Sequence, residues 1–149
     1  MNKTAAENNG ILPLIEEQLL LGKQVTFKVK GGSMFPFLLS DETDVTLEKP
    51  NRQSAKYDII LYKTKDGKYV LHRIIKIRQE MLILMGDALK RKEQVLQEQV
   101  IGVVTTIKNG NSTTSATNPR YLRRVKLWVG LRFLRRGLLF VMRHFRRTT

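Results

Sequence analysis

Between Val25 and Lys108 the apolar residues come in short runs, most of them closed by nearby glycine, proline, asparagine or aspartate, and this punctuation limits the fold more than any other feature. The runs Val25–Val29, Asp44–Leu47, Asp58–Tyr62, Tyr69–Ile77, Met81–Met85 and Gln99–Lys108 are dominated by Val, Ile, Leu, Phe and Tyr. Segments of that length and composition, set apart by turn residues, read as strands. Asp66-Gly67 lies between two of them, and a tight hairpin turn favours that dipeptide because it needs positive φ. The pattern predicts a mainly β fold, a compact coiled or barrel-like antiparallel sheet. Ahead of it Pro13–Leu21 reads as a short helix, with Pro13 in the first turn and Gly22 at the stop.

The chain divides by composition. Residues 1–10 are polar and are expected to be disordered; 11–108 form the globular unit. Residues 109–119, rich in Asn, Ser and Thr, read as a linker to a tail over 120–149. That tail holds ten Lys/Arg and no acid, so it supplies ten of the net +14 charges. Large aliphatic and aromatic residues fill its gaps and no proline interrupts it, which predicts a helix.

A bilayer span needs about 20 predominantly apolar residues, and the tail's longest uncharged stretch, Gly137 to Met142, falls far short. A helix lying on an anionic membrane surface fits better, with Arg123, Arg124, Arg135 and Arg136 at the headgroups and Trp128 as an interfacial anchor. Nucleic acid is the competing electrostatic partner and ranks behind it, since the charges are interleaved with apolar bulk. The bland alternative is that the apolar residues dock on the domain and the arginines are solvated. No cleavable signal peptide opens the chain and no clear transmembrane helix is visible, so the expected location is peripheral, on the cytoplasmic face of a membrane. A membrane protein partner that threads substrate to the site would fit that location.

The chemistry concentrates at Lys30-Gly31-Gly32-Ser33-Met34-Phe35-Pro36. Glycines followed by a serine and a proline make a turn able to hold a hydroxyl at a defined, exposed place. His72 and Asp87 lie on later elements, so nucleophile, base and orienting acid are all present in principle. Each has a bland reading. Glycine-serine turns are common, His72 alternates with Val70 and Ile74 as a half-buried strand residue would, and Asp87 after Gly86 suits an ordinary turn. There are no cysteines, only two histidines without clustered carboxylates, and no Gly-rich phosphate loop, so neither a metal nor a cofactor is expected.

Gly32-Ser33-Met34-Phe35-Pro36 resembles the nucleophile box of the type I signal peptidases and the self-cleaving repressors. Tyr57-Asp58-Ile59-Ile60-Leu61-Tyr62, Val70-Leu71-His72-Arg73-Ile74-Ile75, Met85-Gly86-Asp87 and Val100-Ile101-Gly102-Val103-Val104 resemble later boxes of that superfamily, in the same order. Histidine rather than lysine before the Arg-Ile pair is similar to the archaeal and endoplasmic-reticulum type. The resemblance implies a Ser-His endopeptidase that removes a signal or leader peptide from a precursor. Ser33 would be the nucleophile, His72 the general base and Asp87 its orienting acid. Gly31, Gly32, Met34 and Pro36 would line the oxyanion hole and the groove for an extended peptide. Three places depart from the pattern: Gly31 stands where the family usually has serine, Tyr57 where it usually has glycine, and the late box runs on as Ala88-Leu89-Lys90-Arg91-Lys92-Glu93 where Asn or a second Asp is usual. Two other functions stay open. One is a catalytically weak, membrane-associated peptide-binding adaptor; the other is a self-cleaving repressor relative that binds nucleic acid.

Overall fold

The computed structural model describes residues 10–147, so the disorder expected over 1–10 falls, Gly10 apart, outside the described residues. Eight strands form one sheet: β1 (Val25–Lys28), β2 (Thr43–Glu48), β3 (Ile59–Lys63), β4 (Tyr69–Arg78), β5 (Met81–Met85), β6 (Lys92–Leu96), β7 (Val100–Asn109) and β8 (Ser112–Ser115). Three helices accompany it: α1 (Ile11–Leu20), α2 (Pro119–Gly130) and α3 (Arg135–Arg147). The strands run in the order β1-β2-β7-β3-β4-β5-β6, with β8 added to β7, and every pairing is antiparallel. The mainly β expectation holds. The sheet is open, with β1 and β6 at the ends of its path, and is not a closed barrel.

Alternation along the strands builds two cores, one on each face. Ile59 and Leu61 of β3 point into the main core with Val45, Leu47, Val104 and Ile107, and α1 covers it with Leu12, Ile15 and Leu19. Ile60 and Tyr62 point the other way, into a second cluster with Ile74, Leu82, Leu84 and Val95. Helix α1 meets β7 at Gly102, where an added Cβ would lie 2.9 Å from a Leu19 methyl. The helix stops as expected at Gly22 (φ 76°): Gly22 N–H donates to Leu19 O and Lys23 N–H to Gln18 O, which satisfies its last carbonyls.

Two segments differ from their reading. The expected linker over 109–119 folds: Asn109 ends β7, Gly110 turns at φ 56°, and β8 pairs back from Thr106↔Ser115 to Asn109↔Ser112. The expected single helix of the tail is two helices, broken over residues 131–134. Asn118 caps the first of them, its side-chain oxygen accepting from the N–H groups of Arg120 and Tyr121, with Pro119 at the first position. Tyr121 and Val125 then reach the main core, while Trp128 and Leu139 pack on Phe35 of the serine turn. No helix among the described residues is long and apolar enough to cross a membrane.

Candidate functional site

Ser33 sits on an irregular turn between β1 and β2, half-buried, with Met34, Phe35 and Leu38 beneath it in the core. The turn is clamped to the segment that follows β5. Ala88 N–H donates to Ser33 O at 2.8 Å, and a Cβ on Gly86 would lie 2.6 Å from that same oxygen. Only glycine allows this approach, so Gly86 fixes where the serine stands. Gly31 holds φ 84°, and its N–H donates to Ser40 Oγ at 3.0 Å. A serine there would be strained. Gly32 is exposed, Met34 is buried, and Pro36 follows a cis peptide bond from Phe35.

The Ser33 side chain borders a small cavity of about 40 Å³ whose walls are mostly apolar: Leu12, Phe27, Val29, Met34, Leu61 and Leu71, with Lys30 and Tyr69 also on it. Leu71, adjacent to His72, is therefore on the serine's side of β4. His72 is on the other side. Its ring centroid lies 6.3 Å from that of Tyr62, and its Nδ1 is 3.1 Å from Glu93 Oε2 on β6. The Tyr62 hydroxyl donates to the same Glu93 oxygen. An oxygen already accepting from a phenol is an acceptor toward Nδ1 as well, so Nδ1 carries the proton and Nε2 the lone pair. Nε2 is buried and has no hydrogen-bond partner, so the Ser33 hydroxyl does not bond it here. Burial pushes the imidazole down to about 4 and raises the Glu93 carboxyl above its ordinary range. His72 is thus neutral at pH 7, the form a general base requires.

Asp87 has a different partner from the one expected. Arg73 Nε and Nη2 reach its two oxygens at 2.8 and 2.7 Å, a fork wholly out of solvent. Arg73 also donates to Tyr121 Oη at 2.9 Å and Tyr57 O at 3.0 Å, and it lies over the Phe37 and Tyr121 rings. Burial opposes its charge, but Asp87 alongside more than compensates and holds the guanidinium above its ordinary value. The orienting carboxylate for His72 is accordingly Glu93, not Asp87. Alternation along β4 is the reason: successive side chains leave on opposite faces, so one carboxylate serves each.

The tail residues separate too. Arg123, Arg124 and Arg136 are exposed. Trp128 and Arg135, expected at a membrane surface, are buried instead. Trp128 Nε1 donates to Asp87 O at 2.8 Å, and Arg135 Nη1 donates to Leu89 O at 2.8 Å while its guanidinium lies over the Trp128 ring. Their apolar bodies close the floor under the Gly86–Leu89 segment, so the tail braces the serine turn from below. No group of His, Cys, Asp and Glu among the described residues is arranged to hold a metal ion. Comparison with protein-family models, curated proteins and solved structures finds no match for this chain.

Proposed function

We propose that this protein is a serine endopeptidase that cleaves an extended segment of a precursor protein, with Ser33 as nucleophile and His72 as general base. The observation that carries the reading is the state of His72: a buried, neutral imidazole whose Nδ1 faces a carboxylate and whose Nε2 lone pair is uncommitted. On the other face of β4, Ser33 stands half-exposed at a cavity of about 40 Å³, a size that suits a small side chain. In the reaction Nε2 takes the Ser33 proton as Oγ attacks the peptide carbonyl. The amide C–N bond breaks, the same proton passes to the leaving amine, and water then hydrolyses the acyl ester. Ser33 N–H helps hold the oxyanion. His72 and Ser33 lie on opposite faces of β4, so the step requires a rearrangement of the backbone when the peptide binds, not a rotation of the imidazole alone.

Mapping new protein N-termini by mass spectrometry, in cells carrying the native protein or Ser33→Ala, tests the reading. A set of N-termini that disappears with Ser33→Ala and equally with His72→Ala is expected. An unchanged profile with both variants folded and expressed sinks it.

A second reading has its own observation. His72 and Ser33 stand on opposite sides of β4 with no bond between them, as a peptide-binding adaptor without catalysis would allow. Such a module would keep its ligand after Ser33→Ala.

Either activity would operate at an anionic membrane surface. Leu134 just ahead of α3, and Phe140, Val141 and Phe145 along it, are exposed, while Leu139 and Arg135 face the domain. Phe133, in the turn before it, is 91% exposed. An apolar strip of this kind, in a tail with ten cationic residues and no acid, matches an interfacial helix. Flotation with anionic vesicles should carry the native protein upward and leave Phe140→Ser with Phe145→Ser behind.

A further inference from the structure

The serine turn has a second cleft on its other flank. Gly32, Phe35 and Ser40 form one wall and Arg143, Arg146 and Arg147 of α3 the other, around a volume of about 500 Å³. Arg143 lies over the Phe35 ring, 5.6 Å from its centre, and Arg146 is paired with Glu42. Glu42 thus anchors one arginine to the domain, and the other carboxylate at this rim, Asp41, accepts from Ser40 and is paired with Lys30. Loose surface charge does not produce this arrangement: α3 turns its phenylalanines outward and its last three arginines into a concavity.

We infer that this cleft is a binding site for acidic side chains of the peptide engaged at Ser33, so that the preferred partner carries Glu or Asp close to the reacting bond. Gly32 is both a wall of the cleft and the residue before Ser33. Consecutive Cα atoms are about 3.8 Å apart and an extended chain advances about 3.3 Å per residue, so an acid in the cleft lies within ~2–3 residues of the serine. Two planar guanidiniums at one rim suit carboxylate oxygens, which accept paired N–H groups. The inference rests on reading Ser33 as the point of peptide engagement, but not on its chemistry.

The test therefore uses binding rather than turnover. Two short fluorescein-labelled peptides, identical except for two Glu in one and two Gln in the other, are titrated into the Ser33→Ala protein at physiological salt. Fluorescence anisotropy should give about tenfold tighter binding of the Glu peptide. Arg143→Gln with Arg147→Gln should remove that preference, with melting unchanged, while Arg123→Gln with Arg124→Gln, an equal loss of charge elsewhere on the tail, should keep it. Equal affinity for the two peptides, or a preference that survives the first pair and falls with the second, overturns the inference. So does displacement of the Glu peptide by phosphatidylglycerol vesicles whose own binding depends on Arg143 and Arg147, since the cleft would then serve lipid phosphate. A Glu preference in this test, together with a native protein that generates no new N-termini in cells, upholds the site and removes only the peptidase.

Discussion

Arg73 and His72 are neighbours in sequence on β4, yet their surroundings could hardly differ more. Arg73 is completely enclosed, and its donors are matched to Asp87, Tyr121 and a backbone carbonyl. His72 is nearly as buried, but one ring nitrogen meets Glu93 and the other meets nothing. Burial opposes the charged form in both, but at Arg73 the counter-charge in contact outweighs it, whereas at His72 nothing does and the neutral form prevails. A saturated cluster of this kind joins elements. Arg73 ties β4 to the segment after β5 and to α2, and through Trp128 and Ala88 that segment carries the serine turn. An unsaturated imidazole adds no such tie, and its value lies in the lone pair it keeps.

That contrast breaks most visibly on the Arg73 side. Arg73→Met leaves Asp87 buried without a partner, and the cost should be about 3–5 kcal/mol by urea denaturation. Adding Asp87→Leu removes the stranded charge and should recover much of the loss. If the single change costs less than about 1 kcal/mol, Arg73 and Asp87 are not the brace described here.

The His72 side should respond to pH instead. Its folded value of about 4 lies below the ordinary 6.5, so between those values the unfolded chain binds the extra proton. Stability is then highest above pH 6.5 and declines as pH falls towards 4, by about 3 kcal/mol from this group. Glu93, shifted upward, and the Tyr62 hydroxyl on its oxygen are the polar groups facing His72. Glu93 works in the opposite sense at the acid end and trims the decline. Denaturant midpoints at pH 7 and pH 4.5 should therefore converge in His72→Phe relative to the native protein. A native-like acid loss in that variant would place the proton elsewhere.

Much of this is legible in the sequence, for identifiable reasons. Strands β1 to β5 and β7 declare themselves through runs of branched and aromatic residues that must be covered. Strand β6 does not, because only Glu93 and Val95 of Lys92–Leu96 turn inward and the rest is polar edge. Strand β8 is all Ser and Thr; its signal was Asn109-Gly110, a hairpin dipeptide embedded in a segment whose composition read as linker. Missing β6 concealed Glu93, and Asp87 was then the available acid for His72. Counting alternate faces along β4 would have separated the two, since Arg73 and His72 cannot share one carboxylate from opposite sides. Tyr57 is instructive in the same way. It stands where the resembling family usually has glycine, and it adopts φ 77°, the region glycine enters without strain. In the tail, composition identifies cationic and apolar content but not direction, so Trp128 and Arg135 read as surface residues although both fill the floor of the site.

The measurement that bears most directly on the account is an imidazole nitrogen NMR titration of His72. The chain has only two histidines, and His144→Gln assigns the signal. The account predicts a neutral ring with the proton on Nδ1 facing Glu93, holding that state until the pH nears about 4. A proton on Nε2, or a ring that charges close to the ordinary value of 6.5, would contradict it.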